Sequence, residues 1–191
     1  MNSSTILRSA RRTAGITQKE LSVQSGIAQP NISEFENGHT SPSFVSLTKL
    51  LDALGTRLIP VQNFGTTTSN VSAEIRTQLA SERPQDAIRP FLRLSDNLGQ
   101  SHGIDRITVA LSEPEPTGSI EWDAAVAGLV EYWCNRESLP VPHWVNYPDR
   151  FLGSPSSPQL GKFDLAPNVD KIPKEFRRRN ILLELSTLES I

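Results

Sequence analysis

A single cysteine, Cys134, leaves no partner for an internal disulfide, and His39, His102 and His143 supply no spaced Cys/His set for zinc. No window approaches the ~20 apolar residues of a membrane span, and the N-terminus lacks a basic segment followed by an apolar one, so neither a membrane protein nor a secretion signal is expected. The expected compartment is the cytoplasm. There is no excess of positive charge: 19 Lys+Arg face 21 Asp+Glu, a formal charge of −2, which excludes a wholly basic nucleic-acid coat. No HExxH, GxSxG or phosphate-cradling glycine loop occurs. Carboxylates abound, but nothing in the sequence brings two of them together, so the chain reads as a non-enzyme with no cofactor. No repeat of period 20 to 50 is present, and 191 residues suit one or two domains.

The small net charge conceals an uneven distribution. Residues 1–60 carry +2, residues 61–100 balance, and residues 101–191 carry −4. A mildly basic head suits phosphates, whereas an acidic tail suits some other partner.

In the head, Ile6, Leu7, Ala10 and Ala14 recur at helical spacing, and Gly15 follows where a helix would stop. Thr17-Gln18-Lys19-Glu20 has the capping-box pattern and starts a second helix, which carries Leu21 inward and ends near Ser25 before Gly26. A third short helix follows. Pro30 suits its first turn, Ile32 and Phe35 share a face, and Gly38 terminates it. Ser22 is the small residue expected where the second and third helices cross. Ser41-Pro42-Ser43 opens a fourth helix with Phe44, Leu47, Leu50, Leu51 and Leu54 as its apolar stripe, and Leu58 and Ile59 are expected to add a last contact before Pro60.

Two short helices joined by a tight glycine turn form a helix-turn-helix, a unit that inserts its second helix into the major groove of DNA. The outer face of that helix carries Gln29, Asn31, Ser33, Glu34 and Asn37. A Gln or Asn amide can bind adenine bidentately and a Glu can accept from cytosine N4. Thr17 and Gln18 at the start of the second helix, Asn37, and the loop donors His39 and Thr40 are the candidate phosphate contacts.

The stretch resembles the XRE (Cro/repressor-like) helix-turn-helix family. The match rests on Gly15-Ile16-Thr17-Gln18-Lys19-Glu20-Leu21, Gly26-Ile27-Ala28-Gln29, Ile32-Ser33-Glu34-Phe35-Glu36-Asn37-Gly38 and Pro42-Ser43-Phe44 with Leu47, Leu50 and Ala53-Leu54-Gly55. The resemblance implies a five-helix, lambda-repressor-like domain whose third helix reads DNA, and an ion pair between Arg11 and Glu36 that braces the first helix against the reader. Departures from the family pattern are Pro30, at a position often polar, and Ala28 at the cap position.

Residues 62–70 have little to bury and read as a linker. Val71 to Ala80 and Gln85 to Leu98 have helical patterns, and residues 106–111 are too short to assign by period but lean to helix. Ser119 can cap a helix containing Trp122, Val126, Leu129, Val130, Trp133 and Cys134, the best second core. Beyond it, Trp144, Tyr147 and Phe151 among prolines suggest irregular chain packed by rings, and residues 153–170 suggest a long surface loop. Arg177-Arg178-Arg179 is read as a solvated face or as pairing with acids of its own domain. Ser186 to Glu189 carries another capping-box signal.

The expected architecture is mainly α: a DNA-binding domain over 1–61, a linker with connector helices over 62–100, and a mostly helical, loop-rich domain over 101–191 for partner binding or dimerisation. The expected partners are a double-stranded DNA operator and a second copy of the chain, since one short helix contacts few base pairs. The Trp122-Asp123-Ala124-Ala125 helix, the Pro-rich aromatic chain and the terminal arginines faintly resemble tails of XRE-type antitoxins, which implies a toxin as a further partner. A tail that senses a small molecule is the alternative.

Overall fold

The computed structural model describes residues 3–58, 65–159 and 167–188. The chain divides into two compact units, Met1–Gln62 and Asn63–Ile191, each with its own apolar core. It is mainly helical; among the described residues the only extended pairing is an isolated parallel bridge between Ser156 and Ile181.

The first unit holds α1 (Ser3–Ala14), α2 (Gln18–Ser25), α3 (Gln29–Glu36) and α4 (Phe44–Ala53). Local chemistry sets each boundary. Thr17 and Glu20 form a reciprocal capping box at the start of α2, and Ser43 accepts from the Ser46 amide at the start of α4. Gly26 ends α2 with φ of 67°, a left-handed conformation that lets the chain turn at once into α3. Leu7, Leu21, Ile32, Leu47, Leu50 and Leu51 form the core, all of them buried.

Three expectations change here. Phe44 lies outside the stripe of α4, being 72% exposed, because the helix turns Leu47, Leu50 and Leu51 inward instead. Ala14, expected on the inner face of α1, is exposed at the end of that helix. The buried small residue at the turn is Ser25 rather than Ser22: its hydroxyl donates to Leu21 O at 2.7 Å and accepts from the Ile27 amide at 3.3 Å. The fifth helix that the resemblance implies is not seen among the described residues of this unit; of the expected last apolar contact, Leu58 is exposed, and Ile59 and Pro60 lie outside the described residues.

The second unit is built around α8 (Ile120–Arg136), whose Ala124 to Val130 are all buried. Packed against it or nearby are α5 (Thr68–Ala80), α6 (Ile88–Gln100), α7 (Gly103–Ala110), α9 (Lys174–Arg177) and the short α10 (Leu185–Leu188). Ser119 caps α8 through the Trp122 amide. Trp122 meets Phe91 edge-on at 5.4 Å, and Gly128 leaves room for the Phe176 ring. After α8 the chain runs through short 3₁₀ turns at His143–Asn146 and Pro148–Arg150. Trp144 is buried there and donates to Ala110 O at 3.0 Å.

Three arginines lie inside this unit. Arg106 donates to the carbonyls of Leu98 at 2.7 Å and Trp133 at 2.7 Å. Arg150 stacks over Trp144 and faces Glu113 at 3.5 Å. Arg179, fully buried, pairs with Glu131 and donates to Val145 O at 2.9 Å, while Arg178 reaches Glu131 at 2.9 Å. Burial pushes the Arg179 guanidinium below its ordinary value, against the Glu131 charge. Two arginines of the run, Arg178 and Arg179, therefore pair with an acid of their own unit, and Arg177 is exposed.

Residues 153–159 are less loop-like than expected, since Ser156 exchanges backbone hydrogen bonds with Asn180 and Leu182 at 2.9 Å each; residues 160–166 lie outside the described residues. Ser186 sits inside α10 rather than capping it, and its expected partner Glu189 is outside the described residues.

Candidate nucleic-acid interface

The expected contact residues lie at the start of α2, along α3 and in the loop after it. Gln29, Asn31 and Glu34 are exposed on α3, Ser33 is half-buried, and Asn37, His39 and Thr40 are exposed beyond it. No side chain caps α3: Ala28 occupies the cap and Pro30 removes one amide donor. Thr17 is committed locally, its hydroxyl donating to the Glu20 carboxylate at 2.8 Å and accepting from the Glu20 amide at 3.2 Å. Glu20 is consequently held below the ordinary carboxylate range by the Thr17 amide and hydroxyl.

A hydrogen-bond chain links the interior to this edge. Glu36 is 2% exposed; its two oxygens take Arg11 Nε at 2.7 Å and Nη2 at 2.8 Å. This pairing raises the Arg11 pKa. The same carboxylate accepts from Gln18 Nε2 at 2.9 Å, and Gln18 Oε1 accepts from Gln29 Nε2 at 3.0 Å. A carboxylate can only accept, so it turns the NH₂ of Gln18 inward and its carbonyl toward Gln29. Gln29 then spends one N–H on Gln18 and keeps the other, together with its carbonyl, for the outside. That residual pair has the donor and acceptor pattern an adenine edge requires.

Elsewhere on the edge the contacts are looser. Asn37 Nδ2 approaches Ser33 Oγ at 3.4 Å, and His39 Nδ1 stands 3.4 Å from Glu34 Oε2. Arg8, which the sequence offered no reason to single out, donates to the Glu36 carbonyl and ties α1 to the end of α3 a second time. The link between Gln18 and Glu36 was equally hidden, because it joins residues of different helices 18 positions apart.

Residues 7–60 match the helix-turn-helix family. The first unit carries an XRE-type helix-turn-helix domain. Over 52 residues the chain is 44% identical to an uncharacterized HTH-type transcriptional regulator of Haemophilus influenzae, covering 27% of this chain and 53% of that relative. The match thus spans about half the length of the curated relative. No solved structure matches the chain significantly.

The family match ends at residue 60, so the second unit lies outside it. Among the described residues no group of three or more His, Cys, Asp or Glu side chains could hold a metal ion, and no helix is long and apolar enough to cross a membrane. Cys134 is buried, and desolvation pushes its thiol up, away from reactive thiolate.

Proposed function

We propose that the chain is a sequence-specific DNA-binding transcriptional regulator that places α3 in the major groove and binds its operator as a homodimer. Gln29, Asn31, Ser33, Glu34 and Asn37 face base edges; Thr17, Gln18, His39 and Thr40, with Asn37, lie along the phosphates. The observation that carries this reading is the chain from Arg11 through Glu36 and Gln18 to Gln29, which holds one exposed amide in a defined orientation. Selection of bound duplexes from a random pool tests it. A recovered site with two half-sites about 34–36 Å apart supports the reading, whereas failure to enrich any sequence at low ionic strength overturns it.

The second unit is proposed to bind a protein, making the chain an autorepressing antitoxin whose C-terminal region masks a toxin. Its support is the acidic balance of residues 101–191 and the apolar side chains the unit leaves exposed, Ile104, Leu111 and Ile120 among them. Co-expression with the product of the adjacent gene should yield a stable complex and relieve growth arrest; absence of both rejects the antitoxin role.

One feature favours a sensor instead. A cleft of about 700 Å³ in the second unit is lined by Tyr132, Arg136, Lys171, Lys174, Glu175 and Leu185, a size suited to a small ligand. Thermal shifts against metabolite panels separate the two readings.

A further inference from the structure

Most cations in the later part of the second unit are already spent. Arg106, Arg150 and Arg179 are buried against carbonyls and acids, and Arg178 reaches Glu131. Among the described residues from 101 onward, the exposed cations left over are Arg136, Lys171, Lys174 and Arg177. The first three line one cleft, of about 700 Å³. It lies between the last turn of α8, the 3₁₀ turn at Val169–Lys171, the start of α9 and the start of α10. Its apolar lining comes from Tyr132, Ile172, Pro173 and Leu185.

Two acids share the cleft. Glu175, which is buried, accepts from Asn135 Nδ2 at 2.9 Å, and Lys174 Nζ stands 3.9 Å from the same oxygen. Asp170 is exposed. Glu184, next to the lining residue Leu185, is turned to the Asn168 amide at 2.7 Å. Three cations against two carboxylates leave the lining with one positive charge. The carbonyls of Cys134 and Asn135 at the end of α8, which would oppose an anion, are taken by the amides of Glu137, Ser138 and Leu139.

Arg136 is held in place by the protein itself. Its guanidinium lies 5.4 Å from the Tyr132 ring centroid and 5.5 Å from that of Trp133, and its Nη1 donates to the Tyr132 hydroxyl. Among the described residues its Nε and Nη2 have no acceptor. Those two N–H groups form the fork that matches the two oxygens of a carboxylate. The Tyr132 hydroxyl, having accepted from Arg136, keeps its own hydrogen, which also has no acceptor among the described residues.

We infer that this cleft binds a small monocarboxylate with an apolar or aromatic body. The Nε and Nη2 edge of Arg136 and the Tyr132 hydroxyl hold the carboxylate, Lys171 and Lys174 offset its charge, and Ile172, Pro173 and Leu185 cover the body. The inference rests on the reading of the second unit as a sensor, and it names the ligand class. A phosphate monoester fits poorly, because its second negative charge exceeds the single positive one of the lining and meets Asp170 and Glu175. A neutral body of the same shape leaves the fork of Arg136 without its acceptor pair.

The test is isothermal titration calorimetry of the full chain with phenylacetate and octanoate, each compared with its amide, and with phenyl phosphate. The expected result is binding of at least one carboxylate, with its amide weaker by about tenfold or more. Arg136→Lys keeps the charge and loses the fork, and should weaken the carboxylate by about tenfold; Tyr132→Phe should weaken it severalfold. Arg177→Gln, exposed and outside the lining, is the control and should leave binding unchanged. An unchanged fluorescence melting curve verifies that the variants fold. Binding of neither carboxylate, equal binding of acid and amide, tighter binding of phenyl phosphate, or a carboxylate indifferent to both Arg136→Lys and Tyr132→Phe overturns the inference. If the carboxylates fail while a neutral or cationic metabolite raises the melting temperature, the sensor reading stands without this ligand class; no shift with any compound removes both.

Discussion

Glu36 and Arg11 meet as a bidentate pair at 2.7 and 2.8 Å, with the carboxylate almost completely buried and a further donor, the Gln18 amide, on one of its oxygens. One buried acid therefore serves both the stability of the helix-turn-helix domain and the orientation of its exposed edge, and the two roles are separable by substitution.

Arg11→Ala leaves the Glu36 charge buried without its strongest partner. Removing one member of such a pair costs about 3–5 kcal/mol, and the 17% exposure of Arg11 places the expected loss near the lower end. All three tryptophans and both tyrosines lie in the second unit. The substitution should lower the urea midpoint seen by far-UV circular dichroism and leave the tryptophan fluorescence transition where it was. A parallel shift of both signals would contradict the placement.

Gln29→Ala should cost about 1–3 kcal/mol at the selected operator and flatten the preference at the base it faces. Glu36→Gln makes a sharper prediction. A neutral amide can offer Gln18 either its donor or its acceptor end, so Gln18 and then Gln29 are free to flip. The ratio of Kd values for the operator and its single-base variants should fall further than overall affinity at nonspecific DNA. A uniform loss with the ratio preserved would count against the relay.

The pH dependence of the second unit should carry the mark of Glu137. This carboxylate, at the C-terminal end of α8, accepts from His102 Nδ1 at 2.5 Å and from the Gly103 amide at 3.1 Å, so it caps α7, which has no cap of its own. Those bonds, His102 first, hold its pKa below the ordinary carboxylate value. A depressed folded value means the stabilisation is complete above the ordinary carboxylate pKa and is lost as pH falls through the lower folded value. Fluorescence melting of the parent and of Glu137→Gln should differ near neutral pH and converge in acid; a constant gap down to the acid limit refutes the assignment.

Gly128→Ala tests the packing of α8 on α9. A Cβ there would stand 3.1 Å from the Phe176 ring, which is fully buried and would have to give by a few tenths of an ångström. Overpacking of about 1–3 kcal/mol should outweigh the gain of about 1 kcal/mol in helix propensity, lowering the fluorescence melting temperature. A raised melting temperature would show that the ring can yield.

The first unit was legible because its signals are local. The Thr17 and Glu20 box, the turn at Gly26 and the Ser43 cap each act within four residues, and the structure places helix ends where those signals stand. The exposed edge of α3 was legible for the same reason. What its side chains do to one another was not, since the link from Gln18 to Glu36 depends on how two helices approach. In the second unit the helices α5, α6 and α8 follow their apolar spacing. Arg106 and Arg150 do not announce themselves, because a charged residue in one sequence reads as surface until a carbonyl or acid is found to face it. Arg178 and Arg179 were expected to pair with acids or stay in water; only the fold could single out Glu131.

The buried guanidiniums of the second unit also bear on the order in which the chain acquires structure. Arg179 reaches a carboxylate 48 positions earlier, and Arg106, beyond the nearby carbonyl of Leu98, reaches that of Trp133 27 positions later, so neither completes its set of partners until most of the unit has been synthesised. Closing such long loops is slow relative to local helix docking. The helix-turn-helix head, built of neighbouring helices and synthesised before the tail, can mature while the tail is still seeking its closure.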